Sequence, residues 1–169
     1  MKYFKILNQF ERSRGMIYKT GLNTDILSFN PTGDCEPGGI YFASKDIFVF
    51  CNHGPWVREV TLPEDEEIYQ SLDGPLIYKS HRVILGERKK LWDLKTIKWM
   101  IENGANIDAG DKALSMASAR GDLEIVKFLV KNVTDINASD GIALRSALVA
   151  NQPKIIEFLM QNGAVHHAI

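Results

Sequence analysis

Long apolar runs, concentrated charge and cysteine are what this sequence has least of. No stretch approaches the ~20 consecutive apolar residues of a membrane-spanning helix. Met1 to Phe10 alternates lysines with apolar residues and lacks the continuous apolar segment and small-residue cleavage site of a signal peptide, so neither secretion nor a membrane partner is expected. Lys and Arg number 20 against 21 Asp and Glu, a formal net charge of −1. The two signs are interspersed, apart from the acidic run Glu64–Glu67 and the basic cluster Arg88–Lys90. A nucleic-acid footprint needs a concentrated basic face, so nucleic acid is not an expected partner. Cys35 and Cys51 are the only cysteines in 169 residues, too few for a disulfide framework, and the expected compartment is the reducing cytoplasm. Hydrophobic residues still make up 45% of the chain, a composition that supports a folded core.

Motifs for chemistry are equally sparse. No serine-histidine-acid or cysteine-histidine pair has a distinctive local spacing, and the glycines fit no phosphate-binding loop. Cys35, Cys51, His53 and His81 are of zinc-ligand type, and Cys51-Asn52-His53 offers two of them in one loop. The close cysteine pairs of common zinc modules are missing, however, so no metal and no other cofactor is expected. His166-His167 reads as an exposed tail, and Glu64–Glu67 as a solvated loop after Pro63.

What the sequence does have is repetition. The run Lys95-Thr96-Ile97-Lys98-Trp99-Met100-Ile101-Glu102-Asn103-Gly104-Ala105 returns as Glu124 to Thr134 and again as Lys154 to Ala164. Trp99, Phe128 and Phe158 stand at equivalent places, 29 and 30 residues apart, the period of a solenoid built from one supersecondary unit per repeat. In the clearest unit, helical spacing predicts a first helix over Ala113–Arg120, a turn at Gly121-Asp122 and a second helix over Leu123–Lys131. Ala113, Ala117 and Ser118 keep the first helix slim enough to approach its neighbours. Leu123, Val126, Phe128, Leu129 and Val130 supply the bulk that fills the space between repeats.

These residues resemble the ankyrin family. Gly110, Leu114, Ala117, Gly121, Leu123, Glu124, Ile125, Val126, Lys127, Leu129 and Asn132 match its pattern, as do Leu144, Ala147, Ile155, Ile156, Leu159, Asn162, Gly163 and Ala164 in the next unit. Lys112 and Ala113 stand where the family has threonine and proline, and Ser115 and Arg145 where it has histidine. The unit is about three residues shorter than the ~33 of the family, which implies a truncated connecting hairpin. In this it looks like the ankyrin proteins of giant DNA viruses, and a host cytoplasm is then the implied setting. Upstream, Leu94–Asn103 reads as a second helix, but Val83–Arg88 does not read as its small-residue partner. Residues 88–169 are therefore expected to be an all-α stack of about two and a half ankyrin-like repeats. Residues 1–87 would form a small α+β domain that caps it, packing on Leu91, Trp92 and Leu94, with Trp92 and Trp99 at the junction. No separate polar capping helix follows the last repeat, so its final helix either has a polar outer face or is covered.

The amino-terminal half has turn signals at Asn30-Pro31-Thr32-Gly33-Asp34 and Pro37-Gly38-Gly39. Strands are predicted at Met16–Lys19, Gly39–Ala43, Trp56–Leu62, Ile77–Lys79 and Arg82–Leu85, and a helix at Ser44–Phe50 with Ser44 as N-cap. Ile17, Phe29, Ile40, Phe42, Phe48, Trp56, Val57, Val60, Ile77, Val83 and Leu85 are its expected core. Gly38-Gly39-Ile40-Tyr41-Phe42-Ala43-Ser44, followed by Arg58-Glu59-Val60-Thr61-Leu62, resembles a segment of the ADP-ribosyltransferase fold. That resemblance implies nicotinamide stacking on Tyr41. The family's first histidine or arginine motif is replaced here by Tyr18 and Lys19, and an enzyme is the alternative rather than the main expectation.

The main expectation is a protein-protein interaction module. The ankyrin resemblance implies a concave surface built from the exposed positions of the first helices and the turns before them. Asp111, Lys112, Ser115, Arg120, Arg145, Val149 and Asn151 are its expected contacts with another protein. Self-association through the last repeat is a further alternative.

Overall fold

The alternating lysine and apolar residues at the amino terminus form the central strand of an antiparallel sheet. The computed structural model describes residues 2–32 and 36–165, and the backbone divides into two units, Met1–Ala105 and Asn106–Ile169. In the first unit the strands are β1 (Tyr3–Leu7), β2 (Arg12–Ser13), β3 (Met16–Ile17), β4 (Gly21–Thr24), β5 (Ile40–Ala43), β6 (Trp56–Thr61), β7 (Ile68–Gln70), β8 (Ile77–Ser80), β9 (Arg82–Leu85) and β10 (Lys89–Lys90). The main sheet runs in the order β4-β9-β6-β1-β5-β8-β7, and β9 and β10 share one edge of β6. β2 and β3 form a separate two-stranded hairpin. Five strands lie where they are expected; β1, β2, β4, β7 and β10 are additional, β2 and β10 because two residues carry no alternation and the others because their mixed composition hides it. In β1 the cause is Lys5, a charged residue that is only 8% exposed.

Side chains alternate across a strand, so each face of the sheet collects its own core. One cluster gathers Leu7, Ile40, Phe42, Val60, Tyr78, Val83 and Leu85 with Met16 and Tyr18. Tyr3 meets Phe42 and Tyr78 edge to face, at 5.2 and 4.9 Å between ring centroids. Phe4 points the other way, toward helix α1 (Leu94–Glu102), where it meets Trp99 edge to face at 5.3 Å. Asp93 caps that helix by accepting from the Lys95 amide at 2.8 Å. Its Ile97 and Met100 are fully buried, as is Leu91 just before it. The Lys2 amide donates to the Asn103 carbonyl at its far end. The second helix of the first repeat motif is thus bound to the sheet at both ends.

Three expectations for this unit are corrected. Ile17 is 63% exposed, because it sits on the small β2–β3 hairpin, off the main sheet. Phe29, Trp56 and Ile77 are half-buried at the margin of the core. The helix expected at Ser44–Phe50 is a single 3-10 turn, Ile47–Phe50, following Asp46. Ser44 does not cap it: its hydroxyl is buried without a hydrogen bond among the described residues. The Asp46 carboxylate is engaged instead by the Leu76 amide at 2.8 Å, tying this turn to the loop before β8.

The second unit consists of helices α2 (Lys112–Arg120), α3 (Leu123–Val130), α4 (Ala138–Val149) and α5 (Pro153–Gln161). α2 and α3 match the predicted pair to within a residue or two. Gly121 ends α2 in the left-handed conformation at φ 84°, which glycine adopts without steric penalty. α2 lies against α4, and α3 against α5. Ala113, Ala117, Ser118, Ala143 and Ala147 are all buried, so slim side chains do line the first helices. Ile125, Val126, Leu129, Ile155 and Leu159 fill the core beside them. On α5 the exposed positions are Pro153, Lys154, Glu157, Met160 and Gln161, a largely polar outer face.

Connectors in this unit hold no strand among the described residues; they are joined by side chains. Asp108 accepts from both the Thr134 amide (3.0 Å) and the Thr134 hydroxyl (2.6 Å). Asn137, one repeat further on, accepts from the Val165 amide (2.9 Å) and donates to the Gly163 carbonyl (3.0 Å). Asn132 and Asn162 close their helices alike, each donating to the carbonyl four residues back, at 2.6 and 2.8 Å. Such bonds satisfy carbonyls that the helix end leaves without a partner.

Candidate functional site

Both first helices open through left-handed residues. Gly110 and Asp111 precede α2 at φ 68° and 52°, and Ser139, Asp140 and Gly141 interrupt the first turn of α4 at φ 51°, 57° and 67°. Non-glycine residues in this region cost on the order of 1 kcal/mol or more each and persist where their surroundings fix them. Here the Ser139 hydroxyl donates to the Asp111 carboxylate at 2.7 Å, and Arg145 donates to the Ser139 carbonyl at 3.1 Å. Two of the expected contact residues, Asp111 and Arg145, are therefore brought together around Ser139 as parts of one bonded network.

The other expected contacts divide. Lys112 is half-buried, and Arg120 is exposed and ion-paired with Asp122 at 2.8 Å. Asn151 is exposed at φ 51°, and Val149 is 90% exposed beside Leu148 at 42%. Ser115 differs from the expectation of an exposed contact. It is 7% exposed and its hydroxyl donates back to the Lys112 carbonyl, which leaves it no surface to offer. Leu148 was not anticipated; its exposure follows from its place at the free end of α4, where a helical period alone does not separate an inner from an outer leucine.

In the first unit Tyr41 lies on β5 with its hydroxyl donating to the Glu36 carbonyl at 2.7 Å. Two cations stand over its ring: the Arg14 guanidinium at 4.9 Å from the centroid and the Lys79 ammonium at 5.3 Å. Lys79 is fully buried, its ammonium also over Tyr69 at 5.2 Å and donating to the Thr32 carbonyl. A nicotinamide ring would compete with these cations for the same aromatic surface. Arg58 and Glu59, from the second stretch of the ADP-ribosyltransferase resemblance, have structural partners. Arg58 makes a two-pronged bond to Glu11 at 2.7 and 3.2 Å, and Glu59 pairs with Lys2 at 2.8 Å.

Among the described residues, no group of three or more His, Cys, Asp or Glu side chains is placed to hold a metal ion. Cys51 is buried; Cys35 and His166-His167 lie outside the described residues, as do Gly33 and Asp34 of the expected turn. No helix among the described residues is long and apolar enough to cross a membrane.

Residues 89–168 match the family model for ankyrin repeats in three copies. An uncharacterised protein of Acanthamoeba polyphaga mimivirus is 42% identical over 129 residues, covering 73% of this chain and 94% of that protein. Two ankyrin repeat proteins of the same giant virus are also similar. One is 37% identical over 118 residues, 65% of this chain and 38% of its own length; the other is 32% identical over 165 residues, 93% of this chain and 81% of its own. No solved structure matches the chain significantly. The slim first helices, the glycine turn, the apolar second helices with their asparagine ends, the family match and the similar proteins agree: the chain belongs to the ankyrin repeat family, among relatives encoded by a giant virus.

Proposed function

We propose that this protein works by binding another protein through the exposed ends of its first helices. In this reading residues 88–169 are about two and a half repeats and residues 1–87 a capping α+β domain. The observation that supports it best is Val149, a large apolar side chain 90% exposed next to Leu148 at 42%, at the end of α4. An apolar pair surrounded by polar and charged neighbours is the pattern of an interface centre with a polar rim. Arg120 with Asp122, Lys112 and Asn151 would form that rim. Asp111 and Arg145 would hold the α4 entrance in shape from beneath, and Ser115 takes no part.

The setting proposed is a host cytoplasm, by analogy with the virus-encoded relatives, and the partner a host protein. Catalysis forms no part of this reading, since the ring that the enzyme alternative would use already carries Arg14 and Lys79.

The test is affinity capture from a cell lysate, followed by reconstitution with the purified partner. Val149→Asp should abolish binding and leave the melting temperature within a degree or two, whereas Tyr41→Ala should bind as the unaltered protein does. Equal capture by Val149→Asp would refute the reading. A second reading, self-association, draws on Met160 at 60% exposure on the last helix. It requires a mass that rises with concentration and falls back in Met160→Lys.

A further inference from the structure

The sheet of the first unit is split. β1 and β5 are neighbours, yet their ladder holds a single register pair, Phe4↔Ala43. Beyond it the strands diverge, and a cavity of about 410 Å³ opens between Leu7 and Asn8 on one side and Gly39 and Tyr41 on the other. That volume falls in the ~300–1,000 Å³ range of small-molecule sites. A paired sheet would have no such gap, and closing it would need only the continuation of a ladder already begun.

Its lining has an uneven charge. Lys5, Arg12 and Arg14 border it, and among the described residues no aspartate or glutamate does. Lys5 reaches across the split: its ammonium donates to the Tyr41 carbonyl at 2.6 Å and lies 4.7 Å from the centre of the Tyr18 ring. The Asp25 carboxylate, which acts electrostatically on Lys5, is already engaged by the Gly39 and Leu27 amides. Arg14 is engaged with the Glu36 carbonyl and the Tyr41 ring. Arg12, at the rim, is exposed, and its guanidinium makes no hydrogen bond or ion pair among the described residues. Phe42, Phe50, Ile47 and Ile77 supply apolar wall to the same cavity.

We propose that this split binds a small organic anion that carries a flat ring, with Lys5 at the floor and Arg12 at the rim taking the acid group and Phe50, Ile47 and Ile77 packing against the ring. A cavity with low-dielectric walls and cations of one sign concentrates anions, which is the electrostatic half of the argument. Aromatic and aliphatic wall is the other half: an inorganic anion alone would leave that surface facing water. The buried ammonium gains most, since an acid group gives it the charged partner that a carbonyl and a ring only approximate. Burial first, and Arg14 second, lower Lys5 to about 7 in the absence of such a partner. This site is independent of the partner-binding reading of the repeats.

The experiment is calorimetric titration of the full chain with phenyl phosphate, and in parallel with inorganic phosphate, benzyl alcohol and a tyrosine-phosphorylated peptide. Phenyl phosphate should bind saturably and at least tenfold more tightly than inorganic phosphate or benzyl alcohol. Arg12→Gln, a surface change that leaves the core intact, should weaken it by about tenfold, the loss of one charge-assisted bond. Lys5→Met should weaken it as much or more. Absence of saturable binding up to about 10 mM, or unchanged affinity in both variants, would overturn the proposal. So would equal affinity for inorganic phosphate, and a hundredfold preference for the peptide would make the true occupant a modified protein.

Discussion

Lys5 and Arg58 stand directly opposite each other in the register between β1 and β6, two cations on one face of a sheet, 8% and 4% exposed. Like charges directly opposite are destabilising in a sheet, and both sit where the surrounding face is apolar. They are reconciled in different ways. Arg58 is neutralised by Glu11 and further bonded to the Thr20 hydroxyl and the Gly86 carbonyl; Lys5 has the Tyr41 carbonyl and the Tyr18 ring.

Removing the partner of Arg58 should be costly. Glu11→Ala leaves an arginine buried without its counter-charge, and such changes lose about 3–5 kcal/mol. Arg88, 3.3 Å from the same carboxylate and half exposed, adds little to that figure. Urea unfolding at neutral pH measures it, and a loss under about 1 kcal/mol would mean that Thr20 and Gly86 suffice to hold the guanidinium.

Lys5 makes stability depend on pH. Its folded value, about 7, lies below the ordinary 10.5 because of burial, with Arg14 adding to the effect and Asp25 opposing it. Between these two values the unfolded chain binds more protons than the folded one, so stability from this group rises with pH across that window and is lost as pH falls through about 7. Lys5→Met should therefore stabilise the protein most at pH 6, with the advantage shrinking by pH 9. Tyr18, whose ring faces the ammonium, is pushed up to about 12 by burial and by Asp25, and so stays protonated throughout this range. Parallel melting curves of the two proteins across pH 6 to 9 settle the slope, and an advantage independent of pH would contradict the assignment.

Gly39 is held in place by Lys79. Its φ is 138°, and a methyl group there would lie 2.2 Å from the Lys79 side-chain stem. Lys79 cannot swing away easily, being buried with its ammonium bonded to Thr32 and over two tyrosine rings. Gly39→Ala should lose about 2–4 kcal/mol from combined strain and overpacking. A double variant with Lys79→Ala should be less than additive if the contact is the cause.

Asn132 tests the repeat itself. Asn132→Ala removes the bond to the Phe128 carbonyl at the end of α3 and should cost about 1 kcal/mol. Asn162→Ala, at the equivalent position, should cost a similar amount. Chemical denaturation of the full chain compares the two.

The repeats were readable because their chemistry is local. Gly121 needs only its own φ, Ala113 and Ala117 only the period of a helix, and Leu123 to Val130 carry a helical stripe within one segment. Strand β1 was not readable in this way: its alternation is interrupted by Lys5, whose burial depends on Tyr18 and Tyr41, 13 and 36 residues away. The same holds for Arg58, whose carboxylate partner lies 47 residues back. Ser44 misled for a related reason, since an N-cap residue type predicts a cap only if a helix follows, and Ile47 and Phe48 turn toward the core too soon for one. Among the expected contact residues Val149 and Asn151 were legible as helix-end positions, while the burial of Ser115 depends on neighbours that no local pattern names.

Asp108 and Asn137 occupy the same place in successive repeats, and each grips only the loop that comes next. Load applied at the carboxy-terminal end of this unit would thus fall first on the bonds of Asn137 to Gly163 and Val165, and reach Asp108 and Thr134 only after those had parted. Pulled lengthwise, the second unit should yield in a succession of small force steps, one connector at a time, where a sheet loaded in shear gives a single sharp peak.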